Sequence, residues 1–186
     1  MENLPETVNT QSVALAIYNP TPGTKAIDIR RQMLQLPEVA KSLSGVEKYI
    51  FAASTKMQIA DIDDGTLIAK TGQMFRFIAM DVGYIIPTNP EDWAYICTRL
   101  LDILKKYYSQ MTLADIKLAF ELATTGELDD YLPKDSQGNP DKKHYQQFNA
   151  DYFAKILNAY RRKQNGVIHK AVSYTHLRAH ETLRHL

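Results

Sequence analysis

Apolar residues recur at helical spacing along most of this chain, and no stretch alternates convincingly enough to predict a strand. From about Ile27, the positions Ile29, Met33, Leu34 and Leu36 keep that spacing up to Pro37, which can open a new turn through Val39 and Leu43. Gly45 opens VEKYIFAAS, where Val46, Tyr49, Ile50 and Ala53 fall on one face. Further on, Leu67, Ile68, Thr71, Phe75, Ile78, Ala79 and Val82 form a stripe behind Asp63 or Asp64, either of which can cap, so a helix is predicted over about 65–82. The pattern is clearest in NPEDWAYICTRLLDILKKYY. Asn89 caps, Pro90 takes the first helical position, Glu91 and Asp92 suit the positive helix end, and Trp93, Ile96, Cys97, Leu100, Leu101, Leu104 and Tyr108 line the inner face. Thr112 and Asp115 then make a capping-box start with aspartate in place of the usual Glu or Gln, and Gly126 is the natural stop after Leu113, Ile116, Ala119, Phe120 and Ala123. A polar loop punctuated by Pro133, Gly138 and Pro140 covers 132–143. A last helix starts at Asn149 or Asp151, runs through Phe153, Ile156, Leu157 and Tyr160, and is expected to end near Gly166.

These elements predict an all-α fold, a compact bundle of five or six helices over 27–168. Residues 1–26, with Pro5, Pro20, Pro22 and Gly23, read as a loose arm in which only Val13–Tyr18 is apolar enough to dock. At 186 residues, 45% hydrophobic and 23% charged, the chain can build a real core. Its net charge of +1 gives no overall basic excess, so any nucleic-acid surface must be local. The first residues, MENLPETVNT, carry glutamates where a secretion signal would carry lysine or arginine, and no apolar run approaches the ~20 residues of a membrane span, so a soluble cytoplasmic protein is expected.

Chemical motifs start and fail. DIDDG begins like a calcium loop, but Gly65 and Gly72 stand where ligands should, leaving an acidic helix start. DSQGNPD has Pro140 where a calcium loop needs its glycine, and reads as a polar loop. TPGTK lacks the first glycine and the lysine of a phosphate loop, their places being taken by Tyr18 and Thr24. The single cysteine, Cys97, has apolar neighbours and no histidine near it in sequence, which fits a core thiol. Near the chain end His176 and His180 sit four apart with Glu181 and His185, a spacing that could grip a metal from one helix face. No second shell is visible around them, and elsewhere only His144 and His169 remain, His144 on a solvated turn beside Lys142 and Lys143. The expectation is therefore no catalytic set, no metal and no cofactor.

Basic residues do cluster with aromatics, at Lys105, Lys106, Tyr107 and Tyr108, at Lys142, Lys143, His144 and Tyr145, and at Tyr160, Arg161, Arg162 and Lys163. Cations that neutralise phosphates beside rings that stack on bases would make a nucleic-acid or partner surface. Two of these clusters also fall at helix C-termini, where cations favour the negative end of the dipole for purely structural reasons. A helix-turn-helix centred on Gly126 fits poorly, since Glu121 and Thr125 occupy positions that should be apolar and Pro133 would break the second helix. Arg161, Arg162 and Lys163 are expected to project into solvent from a helix that Tyr160 anchors.

Two resemblances complete the reading. SYTHLRAHET, Ser173 to Thr182, resembles a string produced when a sequencing adapter is read through and translated, which implies that 172–186 is an artefactual tail of a metagenomic sequence and packs on nothing. MTLADIKLAFELATTGELDDYL and HYQQFNADYFAKILNAYRRKQ are similar to the C-terminal half of small helical proteins carried by phages and mobile elements of gut Bacteroidales. Thr112, Ile116, Ala119, Phe120, Gly126 and Leu128, then Tyr145, Phe148, Ile156, Leu157, Tyr160 and Arg162, carry the likeness over about a third of the chain. It implies a non-enzymatic helical module, an accessory of DNA replication resembling helicase loaders, with a protein partner and DNA as a second candidate partner. The alternative is a structural or interaction protein with no nucleic-acid contact.

Overall fold

A computed structural model of the chain describes residues 23–184, with side chains as far as Thr175. Every regular element among them is helical: α1 (Ala26–Leu34), α2 (Pro37–Ser42), α3 (Gly45–Ala53), a 3-10 turn (Ile59–Asp61), α4 (Asp64–Asp81), α5 (Pro90–Tyr107), α6 (Leu113–Thr124) and α7 (Ala150–Arg184). The all-α class follows as expected, with seven helices in place of five or six because the apolar pattern before residue 55 is cut by Pro37 and Gly45 into three short ones. None of the described helices is long and apolar enough to cross a membrane. The expected arm falls almost wholly in 1–22, outside the described residues.

The described chain divides into two compact units, 23–55 with 164–184 and Lys56–Lys163, where the sequence predicts a single span over 27–168. In the first, Ile27, Met33, Val39, Ile50 and Phe51 form the core together with Val167 and Ala171 from the far part of α7. Ser44 caps α3 in a full capping box: its hydroxyl accepts from Glu47 N–H at 3.3 Å, and its own N–H donates to Glu47 Oε2 at 2.7 Å. Lys170 Nζ reaches the same Oε2 at 2.7 Å, tying α7 to the start of α3.

The second unit is built on α4, α5, α6 and the first part of α7. Phe75, Phe120 and Phe153 are each at most 2% exposed and meet ring to ring, with centroids 5.6 Å apart for Phe75–Phe153 and 4.6 Å for Phe120–Phe153. Asp63 and Asn89 cap α4 and α5 through their side-chain oxygens, and Thr112 with Asp115 forms the expected capping box of α6. After α6 the chain turns at Gly126 with φ of 88°, a left-handed conformation that glycine adopts without strain. Ile59 N–H and Ala60 N–H donate to Met111 O and Ser109 O, both at 2.9 Å, joining the 3-10 turn to the segment before α6.

Three expectations are corrected. Tyr49 and Ile68 lie 70% and 60% exposed, although the spacing put them on inner faces. Helix α7 does not stop at Gly166. Val167, Ala171 and Thr175, four residues apart, continue the buried stripe of Phe153, Ile156 and Tyr160, and that packing outweighs the cost of one mid-helix glycine, about 1 kcal/mol. The same burial at Thr175, 8% exposed, contradicts the expectation that nothing after residue 171 packs.

Candidate basic and aromatic interface

All twelve positions of the three basic and aromatic clusters fall within the unit Lys56–Lys163. Helix α7 is fixed there from below by a buried polar contact: Tyr160 Oη donates to Asp115 Oδ1 at 2.8 Å, while Asp115 Oδ2 accepts from Thr112 N–H at 2.9 Å. One carboxylate thus serves both the cap of α6 and the anchoring of α7. Both residues are at most 2% exposed, so neither can be removed without leaving a buried polar group short of a partner.

Helix α7 then brings two of the clusters together. The Arg161 guanidinium lies 5.8 Å from the centroid of the Tyr108 ring, and Tyr108 Oη donates to Asn158 Oδ1 at 3.3 Å, so the end of α5 rests against α7. Burial pushes the Tyr108 phenol above its usual range, and it stays protonated as a donor at neutral pH. Beside it Lys106 Nζ is 5.2 Å from the ring centroid of Tyr107, which is 60% exposed.

Several of the residues expected to meet a ligand have their charge neutralised locally. Lys105 Nζ pairs with Asp64 Oδ1 at 2.7 Å, and Lys142 Nζ with Asp129 Oδ1 at 2.7 Å. Lys163 Nζ donates to Glu127 O at 2.7 Å and pairs with Glu127 Oε2 at 2.9 Å, its side chain only 14% exposed. Arg162 Nη2 donates to the carbonyl of Tyr131. The expected free row Arg161–Lys163 is therefore corrected: Arg162 and Lys163 hold the segment after α6, and of the three only Arg161 has neither an ion pair nor a bond to a main-chain carbonyl among the described residues. Lys106 is likewise exposed with no ion pair among the described residues, the Lys143 charge acts on the Asp135 carboxylate, and Tyr145 is 67% exposed. The partners Glu127, Asp129 and Tyr131 have no signal in the sequence, because nothing local marks an acid 36 residues away as the mate of Lys163.

The other candidates resolve into structure. Asp63 Oδ1 accepts from Thr66 N–H at 2.9 Å, and that bond holds its carboxyl below the usual range, as a helix cap requires. Burial pushes the Cys97 thiol up to about 11 against a smaller opposing pull from Arg76, so it stays protonated at neutral pH. His144 is half-buried, with Tyr84 and Tyr152 edge-on to its ring, and does not stand on the open turn expected for it. No group of three potential metal ligands occurs among the described residues. His176, His180 and Glu181 have side chains outside the described set, as does His185 entirely. Comparison with family models, curated proteins and solved structures finds no match to this chain.

Proposed function

We propose that the protein is a non-enzymatic helical interaction module, an accessory of DNA replication on a phage or other mobile element, acting in the cytoplasm with a protein partner and a DNA contact. The observation that carries the DNA contact is the placing of Arg161 over Tyr108, which sets Lys106, Tyr107 and Arg161 on neighbouring helix surfaces. A cation without an acidic partner beside an exposed ring is suited to a phosphate and a base. Residues from about Val172 are read as translated adapter sequence, and resequencing the source DNA across this junction tests that reading.

DNA affinity measured against salt decides the DNA contact. The double variant Lys106→Ala, Arg161→Ala should flatten the plot of log affinity against log salt by about 0.7 to 0.9 units for each phosphate no longer neutralised. Lys142→Ala and Lys163→Ala should change it less, since Asp129 and Glu127 already neutralise those charges. An unchanged slope in the double variant, or no binding by the parent at low salt, overturns the DNA contact.

The second reading, a protein partner without nucleic acid, is favoured by the outer face of α4. Phe77 and Met80, 54% and 63% exposed, stand one turn apart there. Exposed apolar groups at neighbouring positions mark association surfaces more often than isolated ones do.

A further inference from the structure

We propose that His144 is a proton-operated latch, holding the turn before α7 closed while its imidazole is neutral and releasing it when the ring takes a second proton. The turn is built against conformational preference. Tyr145 and Gln146 stand consecutively in the left-handed region, with φ of 49° and 57°, where a side chain crowds the backbone. Such a pair persists only where bonds hold it, and three are present. Gln147 N–H donates to His144 O at 2.7 Å. Gln146 N–H donates to His144 Nδ1 at 3.1 Å. Gln146 Oε1 accepts from Ile85 N–H at 3.4 Å, which ties the turn to the connection between α4 and α5.

The middle bond is the one that depends on protonation. It requires a lone pair at Nδ1, and so a neutral ring with its proton on Nε2. A second proton must go to Nδ1, where it would face the Gln146 N–H as a second donor at the same short distance. The bond then breaks, and either the ring or the turn has to move. Histidine is the side chain that ordinarily changes charge between pH 5 and 8, which sets the range the test has to cover.

The surroundings do not offset the new charge. Tyr84, from the connection after α4, and Tyr152, from α7, present rings with centroids 6.1 and 5.7 Å from that of His144. Burial raises the Tyr152 phenol to about 12, so it brings no negative charge. Also from α7, Lys155 Nζ lies 5.7 Å from the Tyr152 centroid, bound to Asp141 Oδ2 and Lys143 O, both at 2.9 Å. On the same segment Lys142 is paired with Asp129, and Lys143 stands next in sequence. The nearby acid Asp141 is thus already paired with Lys155, and among the described residues no carboxylate pairs with the imidazole.

Release should be visible at the protein's single tryptophan. Tyr84 stacks on Phe148 at 5.2 Å, and Phe148 on Trp93 at 5.9 Å, so the ring that His144 touches is two contacts from the indole. The test follows Trp93 fluorescence of the full chain from pH 8 to pH 5, with amide exchange at Gln146 and Ile85 corrected for its intrinsic pH dependence. The parent should show one reversible sigmoidal fluorescence change, and the two amides should exchange at least about tenfold faster on the acid side. His144→Asn offers a side-chain oxygen near the place of Nδ1 and cannot take the proton, so it should stay closed and flat across the range. His144→Ala, lacking the acceptor, should exchange fast at both ends. A flat parent curve overturns the latch, and so does a His144→Asn variant that repeats the parent's transition, since other histidines would then be its source.

Discussion

Phe120 and Trp93 both belong to apolar stripes, yet they occupy different environments. Phe120 is 2% exposed and touches Phe153 at 4.6 Å, whereas Trp93 is half-buried and leans on Phe148 alone among the described rings. A stripe identifies the inward side of a helix; it does not say how completely a neighbour covers each position on it. We therefore expect Phe120→Ala to cost about 3–5 kcal/mol, the usual range for emptying a buried aromatic site. Trp93→Ala should cost about 1–2 kcal/mol, in proportion to the smaller area withdrawn from water. Urea midpoints of the two variants check this, and equal losses would show that Trp93 is as enclosed as Phe120. The Tyr160–Asp115 bond shows the same division between local and distant information. Asp115 is legible as a cap from its place three residues after Thr112, but its second bond crosses 45 positions of sequence.

Among whole elements, starts are more legible than ends and connections. Asp63, Asn89 and Thr112 cap as their sequences indicate, because a cap is satisfied within three residues. Ser44 with Glu47 carries the same signal for α3, a better marker of its start than Gly45, which is only the first helical residue. Glu47 also gives α3 a pH dependence. Burial alone would raise its carboxyl, but the bonds from Lys170 and from Ser44 N–H outweigh this and leave it below its ordinary value of 4.5. A carboxyl lowered by folding stabilises above its unfolded value, and the contribution disappears as pH falls through the folded one. Glu47→Gln, which keeps an oxygen for the Ser44 N–H, should therefore be less stable than the parent at pH 7. The difference should close as pH falls below about 4.5. Urea unfolding at pH 7, 5 and 3 reads this out, and a gap that persists at pH 3 would show that the ionised carboxylate is not the source.

For the molecule as a whole, α7 is the element that its sequence describes least well. Residues 150–163 of it belong to one unit and 164–184 to the other, and its buried stripe passes straight through Gly166 to Thr175. Truncation after Ala171 removes buried Thr175, while truncation after Thr175 keeps it. The first should therefore lower the melting temperature more than the second, by about 2–4 °C for each kcal/mol of packing removed at this chain length. Equal melting temperatures for both and for the full chain would restore the expectation that nothing after residue 171 packs. The helical class, the caps and most inward faces were determined by the sequence itself, because hydrogen bonds and apolar spacing within a turn or two are enough to set them. Only the tertiary structure decided which cations remain without an acid. Lys105 meets Asp64 across 41 residues and Lys163 meets Glu127 across 36, while Lys106 and Arg161 form no ion pair among the described residues. The physical reason is that an ion pair needs proximity in space, and folding brings acid and base together across distances that local spacing does not encode.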